Sequence, residues 1–398
     1  MATLYLHIGM PKTGTSYIQN FLRANNEVLK QNGYVYPDFG IRFGKIGINR
    51  NGHFLVSVIR DENKKRLKKE EQRIENECFD KLFALMEEYP NAILSEESIW
   101  NSGERIRGEG FWTNLKSKLA DRGIELKVIV YLRRQDLFIQ SFWAQHVKET
   151  SLSDTMHEYI DGKRFKRLKL DYYARLNKIC KEIGKENMLV RVYEKNQYTG
   201  SEKTIISDFF TTVGLEYNDS YTELERLPNT SLTGVYLETK RQLNKIEGLV
   251  ERKDYIQDLI KKVVVLNNDV RSISSNEFMS GADAVAFLKR YEESNEKVAR
   301  EYLGREDGKL FYDKQKITNE NLPEYTISDY MDVIAQMIAL QNTKSNEKNE
   351  LIYALRTEVK ELKEENKKLQ STVNWMSASF PKKVSRKLKR IIGIKKKS

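Results

Sequence analysis

Cysteine, proline and long apolar runs are all scarce in this sequence. Its two cysteines, Cys78 and Cys180, stand far apart among 398 residues. They build neither a disulfide framework nor a metal-ligand spacing, so a reducing, cytoplasmic setting is expected. The four histidines, His7, His53, His146 and His157, are scattered and suggest no metal site. With only 6 prolines and 31% charged residues, much exposed helix is expected. No window approaches ~18 continuous apolar residues, so no transmembrane helix is predicted. The opening "MATLYLHIG" has no basic stretch leading into an apolar run and reads as a strand, not a signal peptide.

Net charge is +11, but its distribution matters more than its size. The segment Phe380 to Ser398 holds nine Lys or Arg and no acid, which leaves about +2 for the rest. The basic balance therefore describes a tail, and a nucleic-acid-binding body is not expected. Within that tail Phe380, Val384, Leu388, Ile391, Ile392 and Ile394 fall mostly on one helical face. A basic amphipathic tail over 377–398 predicts peripheral attachment to the inner-membrane surface.

Five runs read as strands: "TLYLHIG", "YVYP", "NAILSEE", "LKVIVYLRR" and "NMLVRVYE". Helical patterns separate them, the first being "TSYIQNFLRANNEVLKQNG", closed by Gly33. Strands alternating with helices predict an α/β fold with a parallel sheet flanked by helices. In such sheets ligands bind beyond the carboxyl ends of the strands. From Ser231 to Tyr330 the pattern turns helical and charged, and "GADAVAFLKRYEESNEKVAREYLG" has the spacing of one or two helices. One domain over 1–330 is expected, with a core at 3–221 and a helical completion at 231–330. Further on, Ile352, Val359, Asn366 and Val373 repeat every seven residues, with Leu355, Leu362, Leu369 and Met376 three later. This series predicts a coiled coil over 340–376 and a homo-oligomer, Asn366 favouring a parallel two-stranded register.

The stretch Gly9, Met10, Pro11, Lys12, Thr13, Gly14, Thr15, Ser16 nearly matches the ATP-loop pattern G-x-x-x-x-G-K-[ST]. Thr15 stands where the lysine belongs, and the lysine comes three residues earlier as Lys12. The glycines still let the backbone approach an anion, and the helix N-terminus still favours negative charge. Thr13, Thr15 and Ser16 add hydroxyls. What changes is which ligand oxygen the positive charge reaches.

This loop resembles the 5′-phosphosulfate loop of sulfotransferases that use 3′-phosphoadenosine 5′-phosphosulfate (PAPS). The resemblance implies that Lys12 stabilises the bridging oxygen as sulfate leaves, while Pro11, Thr13, Gly14, Thr15 and Ser16 help cradle the 5′-phosphate. A second match lies in "LKVIVYLRRQDLFIQSFW". There Arg133 at a strand end and Ser141 eight residues on resemble the family's 3′-phosphate site. The likeness spans about 3–221 and is best to prokaryotic sulfotransferases of cell-surface polysaccharides and glycolipids. It implies a sulfotransferase fold, PAPS as co-substrate without a metal, and a carbohydrate hydroxyl as acceptor.

Related families place a Glu or His base at one of two places, which here hold His53 and the Glu96–Glu97 pair. His53 and Glu96 are equal candidates and Glu97 a third. His7, beside the loop, is expected to pack or orient it. Arg226, Asn229 and Ser231, in "RLPNTSLTG", are candidates to close over the nucleotide. Two rival readings are a P-loop kinase of a small molecule and a membrane-tethered coiled-coil scaffold with an inactive nucleotide domain.

Overall fold

The computed structural model describes residues 2–44, 46–224, 232, 234–267, 278–313, 322 and 324–379. Arg226, Asn229 and Ser231 lie outside these residues, as does the basic stretch from Phe380. The chain divides into two compact units, 1–326 and 327–398.

In the first unit the strands are β1 Ala2–His7, β2 Tyr34–Val35, β3 Asn91–Ser95, β4 Ile124–Leu132 and β5 Met188–Val192. All five expected strands are present. They form one sheet in the order β2-β3-β1-β4-β5, and each neighbouring pair is parallel. Apolar runs in the central strands suit a sheet covered on both faces, and Leu4, Leu6, Ile93, Leu94, Val128, Ile129 and Val130 are fully buried. The helices before β4 are α1 Thr15–Ala24, α2 Asn26–Gln31, α3 Lys68–Glu88, α4 Ile99–Arg107 and α5 Phe111–Ala120. Between β4 and the end of the sheet's packing lie α6 Gln135–Glu149, α7 Met156–Asp161, α8 Tyr172–Ile183 and α9 Ile205–Val213. The helical completion contains α10 Gly234–Leu243, α11 Lys253–Leu266, α12 Gly281–Lys289 and α13 Glu292–Leu303.

The first helical pattern is one helix in the sequence and two in the structure. Asn25 explains the break: its side-chain amide donates to the carbonyls of Phe21 and Thr222 and its oxygen accepts from the Thr222 N–H. A buried side chain tied to a distant segment outweighs local helix continuity.

Strand order positions the site. After β1 the chain crosses toward β2, whereas after β4 it goes to β5 on the opposite side. The loops leaving β1 and β4 therefore part, opening a crevice at the carboxyl edge. The helix wall beside it is fixed by a buried ion pair between Arg175 of α8 and Glu104 of α4, which also accepts from the Trp112 indole at 3.1 Å. Arg175→Ala strands that carboxylate without its cation. A loss of about 3–5 kcal/mol in urea unfolding is expected; a change below about 1 kcal/mol would show that the pair is dispensable.

In the second unit α14, Ile327–Ser379, is a single helix of 53 residues. It begins before 340, the expected start of the coiled coil. Among the described residues no helix is long and apolar enough to cross a membrane.

Candidate functional site

The loop after β1 is held in an extended ledge and then turns sharply into α1. Met10 N–H donates to the Tyr131 carbonyl at 3.2 Å, and Tyr131 N–H to the Gly9 carbonyl at 2.8 Å, so the loop continues the β1–β4 pairing. Gly14, the residue before α1, has φ +75°, and a Cβ there would lie 2.8 Å from Ile205 Cδ1 and 3.3 Å from the Tyr193 ring. Only glycine meets both demands. Lys12 itself has φ 66°, an uncommon backbone conformation for a residue with a side chain, of the kind that gathers at ligand-binding loops.

Among the described residues, the N–H groups of Lys12, Thr13, Gly14, Thr15 and Ser16 donate to no backbone acceptor. They form a row of free donors at a helix N-terminus, which suits an anion. The hydroxyls behave differently from one another. Thr13 is fully buried and its hydroxyl donates to the Met10 carbonyl at 2.6 Å, so it braces the loop instead of facing a ligand. The Thr15 hydroxyl donates to the Glu97 carboxylate. Ser16 is exposed.

Arg133 leaves β4 at its carboxyl edge and reaches across the crevice, donating from Nη1 to the Lys12 carbonyl at 2.7 Å. Its guanidinium lies 5.6 Å from the Tyr193 ring centre, and among the described residues it has no carboxylate ion pair. Burial lowers its pKa. Burial also lowers that of Lys12, with the neighbouring Arg133 charge adding to the effect. Glu97 and Glu149 act on Lys12, and Asp136 on Arg133, only from beyond ion-pair distance, so an anion between these two crowded, half-desolvated cations would relieve them. Ser141 sits buried at the second turn of α6. Lys148 lies seven residues further along the same helix, hence on the same face. Burial and the charge of Lys12 push the Lys148 amine down to about 8, which adds a third cation to the cluster.

A second group of side chains meets the loop at the end of β3. Asn51 pairs with that strand's backbone through both ends of its amide, donating to the Ile93 carbonyl at 3.0 Å and accepting from Ser95 N–H at 2.8 Å. Gly52 follows, where a Cβ would lie 3.1 Å from Glu96 Cβ. This close approach carries His53, in a short 3₁₀ turn at Asn51–Val56, onto Glu96 at 3.0 Å from its Nδ1. The Phe43 ring packs edge-on against the imidazole, 5.0 Å between centres.

Glu96 is fully buried and saturated. It accepts from His53, from Arg50 through Nε at 3.2 Å and through Nη2, and from Ser98 N–H at 2.9 Å. Burial raises its pKa, but the His53 hydrogen bond and the Arg50 guanidinium outweigh that and hold it at about 2. A carboxylate with every lone pair engaged is a poor proton acceptor and a good orienter. Glu97 bridges the two groups: it accepts from Thr15 on one side and lies 3.7 Å from Arg50 on the other. His7 is buried on β1 with Nδ1 2.9 Å from the Ser95 hydroxyl, and burial lowers its pKa to about 3. It is neutral and fully buried.

The sequence reading did not single out Arg50, Tyr193 or Lys148. Arg50 precedes His53 by three residues, and Tyr193 ends the β5 run as Arg133 ends that of β4. Among the described residues no cluster of His, Cys, Asp or Glu could hold a metal ion.

No family model matches the chain, and no solved structure does. A protein of Archaeoglobus fulgidus named "Uncharacterized protein" is 25% identical over 229 residues, which is 56% of this chain and 60% of that protein. The chain thus spans about 60% of the length of the curated relative it matches.

Proposed function

We propose that this chain is a sulfotransferase that moves a sulfuryl group from PAPS to a hydroxyl of a carbohydrate acceptor, in a cell-surface polysaccharide or glycolipid. One observation carries the reading most: Lys12 stands inside the loop, three residues before the ATP-loop position, with Arg133 hydrogen-bonded to its carbonyl across the crevice. In the PAPS-dependent sulfotransferases that this loop resembles, a lysine so placed serves the bridging oxygen and a strand-end arginine serves the 3′-phosphate, for which the guanidinium offers a forked charged contact. The residues present fit such a ligand: a row of free N–H groups and the exposed Ser16 for the 5′-phosphate, with Arg133, Ser141 and Lys148 for the 3′-phosphate.

When bound, the donor supplies the sulfuryl group and departs as adenosine 3′,5′-bisphosphate. His53, oriented through Nδ1 by Glu96, takes the acceptor hydroxyl's proton at Nε2 as the new O–S bond forms. Lys12 stabilises the negative charge that develops on the oxygen of the breaking bond. Positioning and electrostatics carry the transfer, as they do in phosphoryl transfer. The basic stretch after α14 supports work at the inner-membrane surface, where lipid-linked acceptors are built.

Incubating the full chain with labelled PAPS and a panel of cell-envelope glycans tests this. Label on a glycan hydroxyl is expected; transfer of phosphate from ATP with no transfer from PAPS would establish the kinase reading instead.

Glu97 offers a sharper check on the loop. Its carboxylate engages the Thr15 hydroxyl on the ground where a 5′-phosphate would sit, so the two anions compete. Glu97→Gln is expected to tighten adenosine 3′,5′-bisphosphate binding about tenfold in titration calorimetry. Unchanged or weaker binding would mean that no phosphate approaches Thr15.

A further inference from the structure

We propose that α14 is one strand of a parallel two-stranded coiled coil, and that its partner is a second copy of this chain. The helix exposes large apolar side chains in water. Leu355, Val359, Leu362 and Leu369 are each about half exposed or more, at 49%, 49%, 57% and 59%. All four fall at the a and d positions of the seven-residue series.

The structure extends that series beyond what the sequence pattern alone suggested. Ile327, Met331 and Ile338, in the first turns of the same helix, are also exposed, at 82%, 56% and 54%. Counting back by sevens from Leu355 and Val359 places Ile327 and Ile334 at d, and Met331 and Ile338 at a. Polar Gln341, Ser345 and Lys348 occupy the positions between the two blocks. Two apolar blocks thus share one register on one unbroken helix. On a lone straight helix a seven-residue stripe drifts about 20° per heptad, so a register kept from end to end serves a supercoiled partner.

The identity of that partner follows from the flanking positions. β-Branched Ile352, Val359 and Val373 at a with Leu355, Leu362 and Leu369 at d favour two parallel strands. Asn366, the polar a residue within the C-terminal apolar block, finds its complement only in the Asn366 of an identical helix in register. Glu358 at g faces Lys363 at e of the second strand in a parallel pair, twice by symmetry. An antiparallel pair would set Glu358 and Glu365 against their own kind, and Arg356 against Lys363. Charge and shape therefore select a second copy running the same way.

Sedimentation of the full chain at roughly 10 µM should give twice the 46.7 kDa chain mass. Replacing Leu355 and Leu362 together by Glu should give the single-chain mass. E358K should weaken the dimer about tenfold, and adding K363E should restore it. On oxidation N366C should cross-link into a covalent dimer, while the parent chain with Cys78 and Cys180 does not. A single-chain mass for the parent protein would overturn the proposal, as would a three- or four-chain mass. Failure of the charge swap to restore the dimer, or a dimer that N366C leaves uncross-linked, would overturn the parallel pairing.

Discussion

Lys12→Ala is expected to lower kcat for sulfuryl transfer about 10³-fold while weakening nucleotide binding only about tenfold. The asymmetry follows from the division of labour in the loop. In the proposed complex the free N–H row and Arg133 hold the ligand in its ground state, and they survive the substitution. In the proposed reaction Lys12 acts where charge develops, so its loss falls on the transition state. Lys12→Arg should not rescue the rate, since a planar, delocalised fork cannot place a point charge at the same oxygen. Steady-state kinetics beside calorimetry of adenosine 3′,5′-bisphosphate separates the two effects. Equal losses in kcat and affinity would make Lys12 a simple anion anchor.

The second large effect belongs to the His53–Glu96 pair. His53→Ala removes the proposed proton acceptor, and kcat should fall by roughly 10²–10⁴-fold with donor binding unchanged. Glu96→Gln keeps the shape but loses the charge that orients the ring, so a smaller fall in kcat is expected, with a cost in stability. Because Glu96 is held at about 2, below its ordinary 4.5, its ionised form favours the folded chain. That contribution is complete above pH 4.5 and is lost as pH falls from about 4.5 to about 2. It amounts to on the order of 3 kcal/mol. Acid unfolding of Glu96→Gln should therefore be flatter across that window than that of the parent chain. An unchanged acid limb together with unchanged kcat would remove Glu96 from any role in orienting His53.

Much of the fold was legible because apolar runs and phosphate-loop glycines are local signals. "LKVIVYLRR" could only be a strand covered on both faces, and β4 is that strand. The break at Asn25 was not legible, since its partner Thr222 is distant in the chain. Within the candidate site, the tight turn at Gly14 and the strand-end position of Arg133 are legible in sequence. The inward turn of the Thr13 hydroxyl does not, because it depends on the loop's path after Gly9. Sequence reading left Glu96 and His53 as equal candidates for the base. Their difference lies in Arg50 and Ser98, whose donors fill Glu96's lone pairs only once the chain is folded. The a/d series was plain from Ile352 onward, but its extension to Ile327 emerged only when the helix proved continuous across the polar gap.

We propose above all that the loop with Lys12 inside it holds a 3′-phosphorylated adenosine nucleotide. Calorimetric titration of the full chain with adenosine 3′,5′-bisphosphate and, separately, with ATP and magnesium tests it most directly. Tighter binding of the bisphosphate, reduced by replacing Arg133 with Ala, is the expected result. Magnesium-dependent binding of ATP, with no binding of the bisphosphate, would contradict it.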